Sequence, residues 1–71
     1  MKQISITTPY IKLDSFLKLC GVSGTGGQSK IMIAEGDILV DGQPCLMRGK
    51  KLYPGAVVSA YGEAFEVVAG L

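Results

Sequence analysis

Between Gly21 and Lys30 the chain reads Gly-Val-Ser-Gly-Thr-Gly-Gly-Gln-Ser-Lys. Four glycines and a lysine in ten residues is the density at which a loop can cradle phosphate, so nucleotide binding is the first chemistry to test. A P-loop needs G-x-x-x-x-G-K-[ST], with the lysine on the terminal phosphates and the hydroxyl on magnesium. Counting from Gly21 places Gly26 correctly, but Gly27 stands at the lysine position and Gln28 at the hydroxyl position. A dinucleotide fingerprint counted from Gly24 puts Ser29 where the third glycine belongs. That fingerprint should also follow a strand, whereas the preceding segment has helical spacing. The spacing rejects both cradles.

The same residues make sense as a joint between two helices. Gly21 ends the first, Gly24 turns the chain, and Thr25 with Gln28 has the S/T-x-x-E/Q spacing of a capping box at the start of the second. Gly26 and Gly27 then lie in the first helical turn, where each glycine costs up to about 1 kcal/mol relative to alanine. What they provide is access: without side chains, the free amides and the positive dipole end are open to a guest. The natural guest is one phosphate of a nucleic-acid backbone, and Lys30, one turn along, can add its charge.

A second group of cations lies downstream. From Gln43 to Gly62 there are three cations, Arg48, Lys50 and Lys51, and no acid, while Glu35, Asp37 and Asp41 crowd the first hairpin strand. Gly49 lets this loop approach a partner closely. A solvated turn and a phosphate contact both fit the pattern, and a net charge of +1 does not separate them. Tyr10 and Tyr53 sit near basic residues and next to prolines; each suits either stacking on a base or holding a turn as a half-buried ring.

Enzyme chemistry has little to work with. The chain has no histidine, which removes the commonest general base and every Ser-His or Cys-His nucleophile pair. Cys20 and Cys45, the only cysteines, do not complete a four-ligand zinc site, and Cys20 falls on an apolar helical position as a buried thiol. Asp37 and Asp41, the nearest paired carboxylates, flank one strand as turn chemistry. The expectation is no catalytic residue, no metal, no cofactor and no small-molecule substrate.

The elements that must position these residues follow from periodicity. Ile4 and Ile6 alternate with polar residues in a short strand ending at Pro9, then Leu13, Phe16, Leu17 and Cys20 take the i, i+3, i+4, i+7 spacing of a two-turn helix. A second helix runs from about Gly26 to Glu35, burying Ser29, Met32 and Ile33, with Gly36 as its left-handed stop. Ile31 falls off that stripe. Ile38 to Val40 is a strand, Asp41-Gly42 a two-residue hairpin turn, and Gln43 to Met47 a return strand that Pro44 places at an edge. "RGKKLYPG" is a basic loop closing on a type II turn at Pro54-Gly55, followed by strands Ala56 to Ala60 and Ala64 to Val68. The order predicts an α+β fold: a helix-turn-helix-like pair packed on a small, mainly antiparallel sheet of short strands and hairpins.

With 71 residues, 48% hydrophobic and 18% charged, the chain is expected to fold as one domain over residues 1–71. No run approaches the roughly 20 apolar residues of a membrane span, and the N-terminus lacks a signal-peptide core. The reading is a soluble, cytoplasmic protein with no membrane partner.

A helix, a capped second helix, "EGDILVDG" and a later "PG" form a pattern that resembles the small RNA-binding domain named after ribosomal small-subunit protein four. The resemblance covers roughly Ile11 to Val58. Lys12-Leu13-Asp14 looks like the Arg-Leu-Asp that opens the family's first helix, Thr25 stands at its Ser/Thr cap, and Ile33 and Gly36 match its helix end. Ile38-Leu39-Val40-Asp41-Gly42 is similar to its Val-x-Val-Asn-Gly hairpin, and "TGG" with "RGKKLYPG" resembles its short stand-alone bacterial members. The resemblance implies binding of structured RNA, ribosomal or transfer RNA or a ribosomal precursor, through Lys12, Thr25, Lys30, Arg48, Lys50 and Lys51. Gly26 departs from it, standing where many members carry an arginine, which implies backbone amides in place of a guanidinium. The alternative is a protein-interaction module on the same fold with little RNA affinity, motivated by the low net charge and the apolar composition.

Overall fold

The structure, a computed structural model, describes residues 1–70. Along the chain it has β1 (Lys2–Ile6), β2 (Ile11–Lys12), α1 (Leu13–Leu19), α2 (Gly26–Ala34), β3 (Ile38–Val40), β4 (Gln43–Pro44), β5 (Lys51–Leu52), β6 (Val57–Ala60) and β7 (Glu63–Ala69). Leu13, Phe16 and Leu17 form the buried stripe of α1, with Asp14 in its first turn and Lys18 in its last, where each charge suits the helix dipole.

Thr25 caps α2 as its spacing predicts: the Gln28 amide donates to Thr25 Oγ1 at 3.1 Å. The reciprocal bond reaches one residue further back than a capping box requires, because Gln28 Oε1 accepts from the Gly24 amide at 2.7 Å. At the other end, Gly36 has φ +80°. Its amide donates to the Ile33 carbonyl and the Asp37 amide to that of Met32, at 3.1 and 3.3 Å; this is the two-bond Schellman closure that satisfies the last carbonyls of a helix. Ser29 and Ile33 face the core, Met32 is half-buried, and Ile31 points to solvent at 59% exposure.

Five strands form one sheet in the order β1-β7-β6-β3-β4. Its hairpins turn through Asp41-Gly42, with φ of 51° and 84°, and Tyr61-Gly62, with φ of 50° and 82°. Two consecutive positive φ values are the type I′ geometry that matches strand twist. Pro44 lies on the edge strand β4, and the return strand is shorter than its pattern suggests. After Pro44 the ladder makes one last bond, Cys45 amide to Ile38 carbonyl at 3.0 Å, and the chain leaves the sheet with Leu46 and Met47 exposed. The other sheet edge is β1, which pairs parallel to β7 with Lys2 opposite Phe65 and Ile6 opposite Ala69. The remaining two strands make a separate antiparallel ribbon, β2 with β5, pairing Ile11 with Leu52 and Lys12 with Lys51. The segment read as a basic loop therefore contains a strand, which its two-residue length hid from any periodicity.

Both helices and the inner sheet face enclose one apolar cluster that includes Phe16, Leu17, Ile33, Ile38, Leu52, Val58 and Phe65. Truncating Phe16 to alanine would remove about 3–5 kcal/mol, comparable to the whole stability of a small domain. The buried polar residues are Ser23 and Ser29, 4% and 0% exposed. Their hydroxyls bond each other, and Ser29 Oγ donates to the Asp14 carbonyl at 3.3 Å. Ser29→Ala leaves the buried Ser23 hydroxyl without its partner, so unfolding stability in urea should fall by about 1–3 kcal/mol; a loss under about 0.5 kcal/mol would show that this bond does not hold the helix pair.

Candidate nucleic-acid interface

The first amides of a helix need acceptors, and α1 begins at Lys12, whose side chain offers none. Its acceptors come from the basic loop: the Leu13 amide donates to the Lys50 carbonyl at 2.9 Å and the Asp14 amide to the Arg48 carbonyl at 3.1 Å. The loop itself is closed by the Lys50 amide on the Met47 carbonyl at 3.1 Å. The carbonyls of Arg48 and Lys50 are turned to the helix, and Arg48, Lys50 and Lys51 keep their side chains in solvent, beside an exposed Lys12.

Lys12 and Lys51 are direct cross-strand partners. Like charges opposite each other destabilise a ribbon, so their juxtaposition favours an anion between them. Lys51 gains a partial offset, because its Nζ lies 4.9 Å from the centroid of the Tyr10 ring, a cation–π contact worth about 0.5–1 kcal/mol at an exposed site. Tyr10 in turn meets Tyr53 with ring centroids 5.9 Å apart and planes tilted by 49°.

The second group lies at the start of α2. Thr25, Gly26 and Gly27 are exposed, and among the described residues no acceptor meets the Gly26 or Gly27 amide. A Cβ on Gly26 would find nothing within 4 Å, and one on Gly27 only Thr25 Oγ1 at 3.9 Å. Neither glycine has a positive φ. The fold therefore does not require glycine at either place. Lys30 is exposed on the same helix, next to the buried Ser29.

One residue joins the groups. Asp14 accepts from Ser29 of α2 through its carbonyl and donates to Arg48 of the loop through its amide. The structure thus gathers Lys12, Arg48, Lys50 and Lys51 around the start of α1, and ties the first half of α2 to the same turn. Asp14 lies at this same turn and Asp41 borders the loop; two other acids lie further off. Asp37 and Glu63 sit at the Ile38–Ala60 end of the β3–β6 pair, where Tyr61 donates its hydroxyl to Asp37 Oδ2 at 3.2 Å; the basic loop feeds the opposite end. Cys20, expected to be buried, is only half-buried; that partial burial still pushes its thiol above its ordinary pKa, which disfavours the thiolate.

Sequence pattern did not reveal the main-chain bonds between loop and helix or the Tyr10–Tyr53–Lys51 cluster. The former involve only backbone atoms, which carry no residue signature. The latter had a faint one: Lys51 and Tyr53, two apart around a buried Leu52, share one side of the chain.

Two helices packed on a mainly antiparallel sheet, with a cationic loop bonded to the first helix, define a class of small α+β binding domain. The S4 domain family model matches residues 4–68, and the chain belongs to that family. It is 46% identical over 66 residues to the Bacillus subtilis protein named "Probable ribosome maturation protein RlbA", across 92% of this chain and 93% of that one. YbcJ of Escherichia coli K12 is 43% identical over 61 residues, across 86% of this chain and 87% of its own. The solution structure of YbcJ, described as revealing an ALFAL motif involved in RNA-binding, superposes with a TM-score of 0.74 at 40% identity, covering 97% of this chain and 89% of that one.

Two stability changes follow. Gly26→Ala with Gly27→Ala should raise the unfolding free energy measured in urea by up to about 1 kcal/mol for each position. Lys12→Gln should add roughly 0.2–1 kcal/mol at low ionic strength by relieving the pair with Lys51, and the gain should vanish near 1 M salt; a gain unaffected by salt would mean that repulsion is not its source.

Proposed function

We propose that this protein is a non-catalytic binder of structured RNA that acts on ribosomal RNA or a ribosomal precursor. The observation that carries the reading is the cationic cluster of Lys12, Arg48, Lys50 and Lys51: the Arg48 and Lys50 carbonyls are bonded to the first turn of α1, Lys51 pairs with Lys12, and all four side chains remain in solvent. A cluster held by main-chain bonds meets a phosphate backbone without first losing loop entropy, which favours recognition by charge and shape over base reading. Thr25, Gly26, Gly27 and Lys30 form the second contact, with two open amides for one phosphate. Membership of the S4 domain family and the RNA-binding motif described for the YbcJ structure support the choice of RNA, and the name of the relative RlbA supports the ribosome as its source. No helix among the described residues is long and apolar enough to cross a membrane.

Titration of a labelled ribosomal RNA fragment at several salt concentrations tests the reading. With about four phosphates neutralised, log affinity should fall against log salt with a slope of roughly −3 to −4. Lys50→Ala with Lys51→Ala should flatten that slope by about 2 and weaken binding equally for unrelated sequences. Binding that ignores salt would overturn it.

A further inference from the structure

The aromatic pair beside the lysines is not used by phosphate contacts. In β5 Leu52 enters the core at 1% exposure and Lys51 stays outside, as does Tyr53 just past the end of the strand. Tyr53 is 54% exposed, so burial does not explain its ring. Its backbone is nevertheless fixed, because the Ala56 amide donates to the Tyr53 carbonyl at 3.0 Å across the Pro54-Gly55 turn, with Gly55 at φ +102°. The two rings also differ. Lys51 covers Tyr10, whereas Tyr53 borders a groove of about 330 Å³ that Lys50, Lys51, Pro54 and Asp41 also line. That volume lies at the lower end of small-ligand clefts, about 300–1,000 Å³.

The groove is polarised. Its acid, Asp41, is engaged through Oδ1 by the Val57 amide at 3.0 Å, and its two cations lie one and two residues after Gly49 on the loop that reaches α1. A guest with an anionic end and a flat apolar end fits this arrangement, with the anion at the lysines and the flat part on the ring. Resting on the RNA reading above, we propose that Tyr53, Lys50 and Lys51 form a subsite for one unpaired nucleotide, its base stacked on Tyr53 and its phosphate held by the lysines. The site then selects bulged or looped RNA over continuous duplex, because a base stacked between its neighbours in a duplex presents no free face. Stacking on an aromatic ring tolerates any base, so the selection is for an unpaired position and not for a sequence.

The test compares two labelled RNA hairpins, each closed by a non-nucleotide linker in place of a loop and identical except that one carries a single-nucleotide bulge of 2-aminopurine. Wild-type protein should bind the bulged hairpin more tightly by about 5- to 150-fold, with quenching of the 2-aminopurine fluorescence. Tyr53→Phe should keep the preference and the quenching. Tyr53→Ala and Tyr53→Leu, checked for unchanged circular dichroism, should lose both while still binding the paired hairpin as wild type does. Equal wild-type affinity for the two hairpins, or a preference that survives Tyr53→Ala, overturns the subsite and leaves the RNA reading standing. Failure to bind either hairpin even at low salt overturns the RNA reading itself, and the subsite with it.

Discussion

The peptide groups at the start of α1 are the constraint on which the rest of the molecule depends. A seven-residue helix is too short to be stable by propensity, and this one begins without a side-chain cap. Its first amides are satisfied by the carbonyls of Arg48 and Lys50, more than thirty positions along the chain. The Asp14 carbonyl receives the Ser29 hydroxyl. One turn of helix therefore fixes the basic loop on one side and α2 on the other. If those bonds were lost, the buried stripe of Leu13, Phe16 and Leu17 would have no defined register against the sheet.

This arrangement also resolves an electrostatic conflict. Four cations near one helix start oppose the dipole of α1, which favours acids there, and Lys12 directly faces Lys51. The fold tolerates the repulsion because the side chains are exposed and solvent-screened, and because the loop carbonyls, not the side chains, meet the helix amides. Binding domains commonly hold such unfavourable charge in reserve for a partner that neutralises it. Asp37 and Glu63 lie at the far end of β3 and β6, whereas Asp41, which borders the lysines, has Oδ1 engaged by the Val57 amide.

Local features were legible in the sequence where a single residue type answers a single backbone demand. Asp41-Gly42 and Pro54-Gly55 announced their turns because few residues accept positive φ. Thr25 and Gly36 marked the limits of α2 because caps satisfy identifiable orphan groups. Pro44 marked an edge because it lacks a donor. The apolar spacing of Leu13, Phe16 and Leu17 identified the buried face of α1. By the same logic Ile31, off the stripe of α2, lies in solvent. The pairings were harder to read. The parallel contact of β1 with β7 joins the two ends of the chain, and the two-residue strands β2 and β5 are too short to carry a period.

By itself, the sequence determined the element order, the hairpin turns, the helix joint at Gly21 to Gln28 and the identity of the cations, because each depends on φ preference, capping or charge within a few neighbouring residues. Tertiary structure decided which of those cations share a surface. Lys12 meets Lys51, and Arg48 and Lys50 reach α1, only through main-chain hydrogen bonds between distant segments, and backbone atoms are the same for every residue type. The exposed ring of Tyr53 is a consequence of the same pairing: its place beside a polarised groove follows from how β5 docks against β2, which no local pattern encodes.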